Sequence, residues 1–94
     1  MFTVVFSKGE SVQYCSGMFE KADDALAKAK KMAKEHAHQS HETWTKAGYH
    51  VHTTTMKMHE GILSDGGMLV ETARTIDGYT DIDIAYFHVA EIRQ

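Results

Sequence analysis

The first fifteen residues contain two strand-like runs separated by a turn signal, as a β-hairpin does. Residues 2–6 form a β-branched and aromatic run, residues 8–9 carry a Lys-Gly turn signal, and residues 11–15 alternate again. Val4 and Val5 then point to opposite sides of the first strand, and both are apolar. The pattern therefore predicts a hairpin whose first strand is covered on both faces.

From residue 22 the apolar positions recur every three or four residues, as in a helix, instead of every two. The small and apolar positions on this face are Ala22, Leu26, Ala29, Ala33, Ala37, Ser40, Trp44 and Ala47. Lysines and acids occupy the opposite side, and Gly48 stands where a glycine ends a helix. The sequence therefore predicts an amphipathic helix over residues 21–47.

The length of this helix conflicts with the size of the chain. A helix over residues 21–47 would be about 40 Å long, whereas a compact domain of this length has a radius of gyration near 12 Å. Either the helix extends beyond the domain, or it breaks near Gln39-Ser40. We expect the break, with residues 40–45 forming a second short helix or turn that brings Trp44 into the core.

After Gly48 the period becomes two, which indicates strands. Residues 49–58 read as one strand, and residues 68–76 and 79–92 flank Asp77-Gly78, a pair that favours a two-residue type I′ turn. Two further turn clusters are predicted, at Glu60-Gly61 and at residues 64–67. The run 84–90 is apolar on both faces, which is typical of a central strand.

The predicted fold is α+β, in the order ββ-α-βββ. A single, mainly antiparallel sheet of about five strands, with one long or broken helix packed across one face, is the simplest arrangement of these elements. No linker or repeat divides the chain, so residues 1–94 are expected to form one compact domain.

Composition limits the classes of function. The net charge of −3 makes nucleic acid an unlikely partner, although a ridge of lysines at 28, 30, 31 and 34 keeps a nucleic-acid-binding module as an alternative. No apolar run is long enough to span a membrane, the N-terminus does not resemble a signal peptide, and Cys15 is the single cysteine. We expect a protein of the cytoplasm, that of the host cell if the gene belongs to a phage, with no membrane partner.

Six of the seven histidines fall between positions 36 and 59, and imidazole is the commonest metal ligand. His38 and His41 share one flank of the helix, and His50 and His52 share one face of a strand with Thr54, Met56 and Met58. The two groups meet only if the chain reversal folds the strand back along the helix. A divalent metal site at His38, His41, His50 and His52 is one hypothesis, although no known metal motif is present. The alternative is a polar helix end and a strand pair in the core or facing a partner, with no cofactor.

No pattern of catalytic residues is present. Cys15 precedes the helix, as a reactive thiol would, but a packed cysteine is the commoner case. The glycines match no phosphate-binding motif. We therefore expect that the chain has no catalytic residues and is not an enzyme.

The hypothesis that remains is a protein-binding module, with a homodimer as a further expectation. In size, acidity and strand-first, single-helix layout, the chain resembles the small inhibitors that phages and mobile elements use against host enzymes or defence systems, anti-CRISPR proteins among them. The resemblance implies steric blockade of the host protein or charge mimicry of nucleic acid. The residues expected to contact the partner are Asp77, Asp81, Asp83, Glu71 and Trp44, and Glu91 is a further acidic group for mimicry.

Overall fold

A computed structural model describes residues 1–59 and 66–93 and confirms the predicted α+β architecture. The elements are β1 (Phe2–Lys8), β2 (Ser11–Phe19), α1 (Ala22–Lys46), β3 (His50–His59), β4 (Gly67–Ile76) and β5 (Tyr79–Glu91). The five strands form one sheet in the order β2-β1-β5-β4-β3, and every neighbouring pair is antiparallel. The helix packs on one face of this sheet, so the other face, called the open face below, has no helix over it.

Both predicted hairpins are present. The first has a longer second strand than expected, because β2 continues to Phe19. In the second, Asp77 and Gly78 have φ values of 50° and 82°, the left-handed conformation that a type I′ turn requires at both central positions. The turn predicted at Glu60-Gly61 and the first two residues of the turn predicted at 64–67 lie outside the described residues. Of the remaining two, Gly66 has φ of 99° and Gly67 is the first residue of β4.

The central position of β5 and β1 explains their apolar sequences. β5 lies in the middle of the sheet, between β1 and β4, as its two-faced apolar run predicts. On β1, Val4 is fully buried under the helix, and Val5 on the open face is only 8% exposed. β1 is thus covered on both faces, whereas β5 is buried on the helix side and partly exposed on the open face.

Alanines bring α1 close to the sheet. Ala25, Ala29 and Ala33 are all fully buried and recur every four residues along one stripe of the helix. Beneath them lies the core of the sheet, formed by Val4, Met68, Val70, Ala85, Phe87 and Val89. Because the helix side chains at this interface are small, the larger residues of β1, β4 and β5 fill the space between helix and sheet.

The predicted break in the helix is wrong. The helix is continuous over its 25 residues, and Ser40 at the expected break is buried within it. The domain is elongated rather than round, with extents of 47 × 21 × 19 Å and a radius of gyration of 14.1 Å. A helix of about 37 Å therefore fits along the sheet without bending, and Trp44 reaches the sheet from the last turn of α1 rather than from a second helix.

Glycine ends the helix as predicted. Ala47 is the C-cap, and Gly48 follows with φ of 97°. The N–H of Gly48 donates to the carbonyl of Thr45 at 3.1 Å, and the N–H of Tyr49 donates to the carbonyl of Trp44 at 2.9 Å. This pair of bonds is a Schellman motif, whose usual apolar contact is supplied by the Trp44 and Tyr49 rings, with centroids 5.4 Å apart.

In the described part of the chain, no helix is both long and apolar enough to cross a membrane.

Candidate functional site

A groove runs between the helix and the edge strand β3. It has a volume of about 540 Å³ and is called the β3 groove here; its lining residues are Lys34, Glu35, Ala37, His38, Gln39 and Thr54. The groove exists because the alanine stripe of α1 sits over the middle of the sheet, which leaves the helix-facing side of β3 partly open. Met56 and Met58, which lie further along β3, are 44% and 57% exposed.

Pairing with β4 shows which side chains of β3 face the helix. Thr54, Met56 and Met58 pair with Thr72, Val70 and Met68. Directly paired residues on antiparallel strands point to the same face. Because Val70 and Met68 belong to the core under α1, the three β3 side chains also lie on the helix side. Thr54 lines the β3 groove, and the exposed parts of Met56 and Met58 lie beside it on the same side of the sheet.

Charge is distributed unevenly around the groove. Lys34 and His38 line it from the helix, and Lys30 lies one turn before Lys34 on the same flank. Glu35 is the one acidic side chain in the lining. Within the described ranges Lys34 has no ion-pair partner, so its ammonium group is available to a ligand in a chain whose net charge is −3.

The histidines do not converge. His38 lines the β3 groove, and His41 is exposed one turn later on α1. His50 and His52 lie on the open face, where their rings meet edge to face at 4.7 Å and His52 Nε2 shares a 2.7 Å hydrogen bond with Thr75 Oγ1. Across residues 1–59 and 66–93, no group of three or more histidine, cysteine or acidic side chains is placed to hold a metal ion.

A β-bulge explains why His50 and His52 lie on the opposite face of β3 from Met56 and Met58. Val51 pairs with Arg74, whereas Thr53 pairs with the adjacent Ala73, so His52 is an extra residue in β3. The extra residue reverses the alternation. As a result His50 and His52 share the open face, and the expectation that this face also carries Thr54, Met56 and Met58 is wrong.

Three of the predicted partner-contacting residues meet at a single arginine. Arg74 Cζ lies 4.0 Å from the centroid of the Trp44 ring and 4.4 Å from that of Tyr49. Its Nε and Nη2 atoms donate to the two carboxylate oxygens of Asp81 at 2.8 and 3.3 Å. The residues around this guanidinium, called the Arg74 cluster here, are Lys8, Trp44, Tyr49, Arg74, Asp81 and Asp83.

Electrostatics hold the Arg74 cluster together. The hydrogen bond from Arg74 lowers the pKa of Asp81 below its ordinary value, and the same contact raises the pKa of Arg74. Lys8 adds an ion pair of 3.1 Å to Asp83 and lies 4.8 Å from the centroid of the Trp44 ring. The cluster thus fastens the last turn of α1 to β1, β4 and β5, which is a structural role.

Sequence reasoning missed Lys8, Tyr49 and Arg74. A signal for Arg74 was present, because Arg74 and Asp81 stand at equal distances from the Asp77-Gly78 turn and must therefore pair across the hairpin. No comparable signal places Lys8 here, since it comes from a distant part of the chain. Tyr49 is five residues from Trp44, and its contact with that ring is the usual one at a helix end with glycine.

The remaining acidic candidates are dispersed. Glu71 forms an ion pair of 3.1 Å with Lys57, and Asp77 is exposed at the tip of the β4–β5 hairpin. Glu91 is exposed at the end of β5. These groups form no continuous acidic surface with Asp81 and Asp83.

Comparison of the chain with protein-family models, with curated proteins and with solved structures found no match.

Proposed function

We propose that this chain is a protein-binding module that holds an extended, acidic segment of a partner protein along β3, in the β3 groove. The observation that carries the proposal is a groove of about 540 Å³ beside an edge strand. An edge strand has backbone N–H and C=O groups on its outer side that no neighbouring strand uses. A partner segment that adds as a sixth strand satisfies these groups and gains main-chain hydrogen bonds.

Side chains of β3 support the same mode of binding. In strand addition, alternate residues of the incoming segment point into the groove, where pockets select them. Met56 and Met58 offer exposed thioether side chains, which adapt to differently shaped apolar partners. At about 3.3 Å per residue, residues 53–58 match a partner segment of about six residues.

The charge of the groove favours acidic residues in that segment. Lys34 and Lys30 project from the flank of α1 next to β3, and His38 adds a third nitrogen-bearing side chain. Glu35 alone opposes them in the lining. Complementary charge increases the rate of association and selects the partner more than it adds affinity.

Steric blockade is the form of the inhibitor hypothesis that this mode of binding supports. A captured segment would be withdrawn from its own protein's function without any chemical step. Charge mimicry has less support, because Asp81, Asp83 and Glu71 already have internal ion-pair partners. The proposed partner is therefore a protein that is held through an extended segment, rather than through a site that normally binds nucleic acid.

Selection from a displayed library of random peptides on the full chain tests the proposal. We expect enriched peptides that carry acidic or apolar side chains at every second position, because those are the positions that face the groove. When an enriched peptide is titrated into ¹⁵N-labelled protein, the backbone amides of residues 51–58 and 34–38 should shift. Peptides that instead shift the open face or β2 would overturn the proposal.

A matched pair of substitutions on β3 provides the control. Met56→Glu places a carboxylate on the helix side of β3, beside the groove, whereas Thr53→Glu places one on the open face of the same strand, opposite Ala73. Both positions are exposed, so neither change is expected to unfold the chain. Peptide binding should be lost in the first variant and kept in the second; equal loss in both would contradict binding in the groove.

A further inference from the structure

The other edge of the sheet lacks the charged side chains and prolines that commonly keep an edge strand from associating. β2 pairs only with β1 in the described sheet, and its nine residues include no charged side chain and no proline. Val12, Tyr14 and Met18 are 65%, 52% and 56% exposed. Natural proteins commonly protect an edge with lysine or proline, and a long uncharged edge with exposed apolar residues is a template for pairing.

Two irregularities limit where another strand can pair regularly with β2. Relative to β1, β2 has extra residues between Val12 and Tyr14 and again between Ser16 and Phe19. Gly17 in the second irregularity has φ of 77°. Bulges bend a strand and interrupt its ladder. The regular part of β2 is therefore the centre of the strand, around Cys15, which pairs with Val5.

We infer that β2 pairs antiparallel with β2 of a second copy of this chain, about a two-fold axis that passes beside Cys15. Cys15 is the middle residue of the nine-residue strand and lies between the two irregularities, so this axis passes through the part of β2 that can pair regularly. The result is a continuous ten-stranded sheet with both helices on the same face. A two-fold contact needs a surface that complements itself, and an uncharged strand with apolar residues near both ends meets that condition.

The register follows from the symmetry. Cys15 of one copy lies opposite Cys15 of the other, and Val12 lies opposite Met18 of the second copy. The contact thus pairs the exposed apolar residues at the two ends of the strand. Glu10, Glu20 and Lys21 lie just beyond those ends, where bends and turns take the chain out of the sheet.

Accessible surface and charge favour a second copy as the occupant. The chain exposes 6250 Å², whereas a monomer of its mass, 10.6 kDa, is expected to expose about 5,500 Å². The excess belongs to the whole elongated chain, and pairing of two β2 edges would bury part of it. Two copies with a net charge of −3 repel each other, and a strand without charges is a place where they approach at least electrostatic cost.

Sedimentation of the full chain under reducing conditions tests the inference. We expect a mass of twice 10.6 kDa for the wild type at 100 µM or above. Val12→Lys and Met18→Lys should each halve that mass, because lysine on an edge opposes pairing. Met56→Lys, the matched change on the opposite edge, should leave the dimer intact. A wild type that stays monomeric, or a dimer that only Met56→Lys dissociates, would overturn the inference.

Mild oxidation with copper phenanthroline checks the register. A disulfide needs Cα atoms within about 7 Å, a condition that two Cys15 residues across the axis meet. Wild type should therefore yield a covalent dimer. In the double variant Cys15→Ser with Ser11→Cys, the introduced thiols stand about 26 Å apart at 3.3 Å per residue, and no such dimer should form. Equal cross-linking at both positions would contradict the register.

The two edges give independent results. A chain that dimerises through β2 but binds no peptide refutes the proposed function alone. A monomer that binds acidic peptides along β3 refutes the dimer alone. If both hold, the dimer carries two β3 grooves at the far ends of a ten-stranded sheet.

Discussion

Ser40 Oγ and Thr72 Oγ1 lie 2.8 Å apart and share a hydrogen bond between α1 and β4. Both residues are buried, with 3% and 0% of their surface exposed. Buried hydroxyl groups are almost always hydrogen-bonded, because a lost bond to water must be replaced. This bond allows a serine to occupy the sheet-facing stripe of an unbroken helix.

We predict that removing both hydroxyls of this pair destabilises the fold by less than the sum of the two single losses. Ser40→Ala leaves the Thr72 hydroxyl buried without its partner, which should cost about 1–3 kcal/mol of the free energy of unfolding. Thr72→Val should cost a similar amount. The double variant should be closer to the wild type than the sum of the single changes. Urea unfolding measures all four proteins, and additive losses would contradict the prediction.

A second prediction concerns His36, which packs between two aromatic rings under the helix. Its ring centroid lies 5.7 Å from that of Phe6 and 5.5 Å from that of Phe87. Within the described part of the chain, its buried Nε2 has no hydrogen-bond partner. Burial lowers the pKa of His36, Lys8 lowers it further, and Asp83 opposes them. The folded state therefore favours the neutral imidazole.

The lowered pKa makes stability depend on pH in a defined direction. Above the unfolded value of about 6.5, His36 is neutral in both states and its contribution is complete. As pH falls below that value the unfolded chain takes up the proton first, so the free energy of unfolding should decrease until the pH reaches the folded pKa. The slope from one proton is at most about 1.4 kcal/mol per pH unit.

Unfolding in urea between pH 5 and pH 8 measures this dependence. His36→Leu should flatten the slope below pH 6.5, whereas His41→Gln, at an exposed position of the same helix, should leave it unchanged. If the slope is unchanged in the His36 variant, groups other than His36 cause the pH dependence of stability, and the prediction is wrong.

We predict that Arg74→Lys disconnects the end of the helix from the β4–β5 hairpin. Lysine cannot donate two parallel hydrogen bonds to a carboxylate while its head group stacks on a ring. The pKa of Asp81 should rise towards its ordinary value, because the bond from Arg74 is its main cause of lowering. A carboxyl NMR titration measures that change, and Trp44 fluorescence reports the loss of the stacked guanidinium. Asp77, at the hairpin tip, is the control carboxylate and should not change.

We predict that reversing the charge of Lys34 weakens binding of an acidic peptide selected on the wild type. Lys34→Glu should lower the affinity by about three- to tenfold, since an exposed ion pair contributes about 0.2–1 kcal/mol and repulsion replaces it. Lys31→Glu makes the same change at an exposed position of the helix outside the groove lining. Calorimetric titration at low and high salt compares the two, and equal losses would show that net charge, rather than the groove, is responsible.

Most elements of the fold followed from local patterns. The two hairpins, the amphipathic helix and its end at Gly48 each depend on residues within about ten positions of one another. Period, turn chemistry and glycine conformation act at that range. The central place of β5 also followed, because a run that is apolar on both faces is typical of a strand with neighbours on both sides.

Errors arose where distant residues decide the local structure. The expected break at Ser40 ignored Thr72, which satisfies the serine from 32 residues away. The expected face of His50 and His52 ignored the bulge at His52, which the pairing with β4 reveals. For the site, Trp44, Asp81 and Asp83 were chosen from sequence, but the arginine that gathers them was not.

The sequence by itself therefore determined which segments are helix or strand and which of their faces are apolar, because both depend on the spacing of neighbouring side chains. Only the tertiary structure decided how far α1 covers the sheet. That coverage is set by the close approach of three alanines to β1, β4 and β5. It leaves Met56 and Met58 exposed beside the β3 groove, while the strand order places β2 at the opposite edge. Long-range packing therefore produced both surfaces for which a function is proposed.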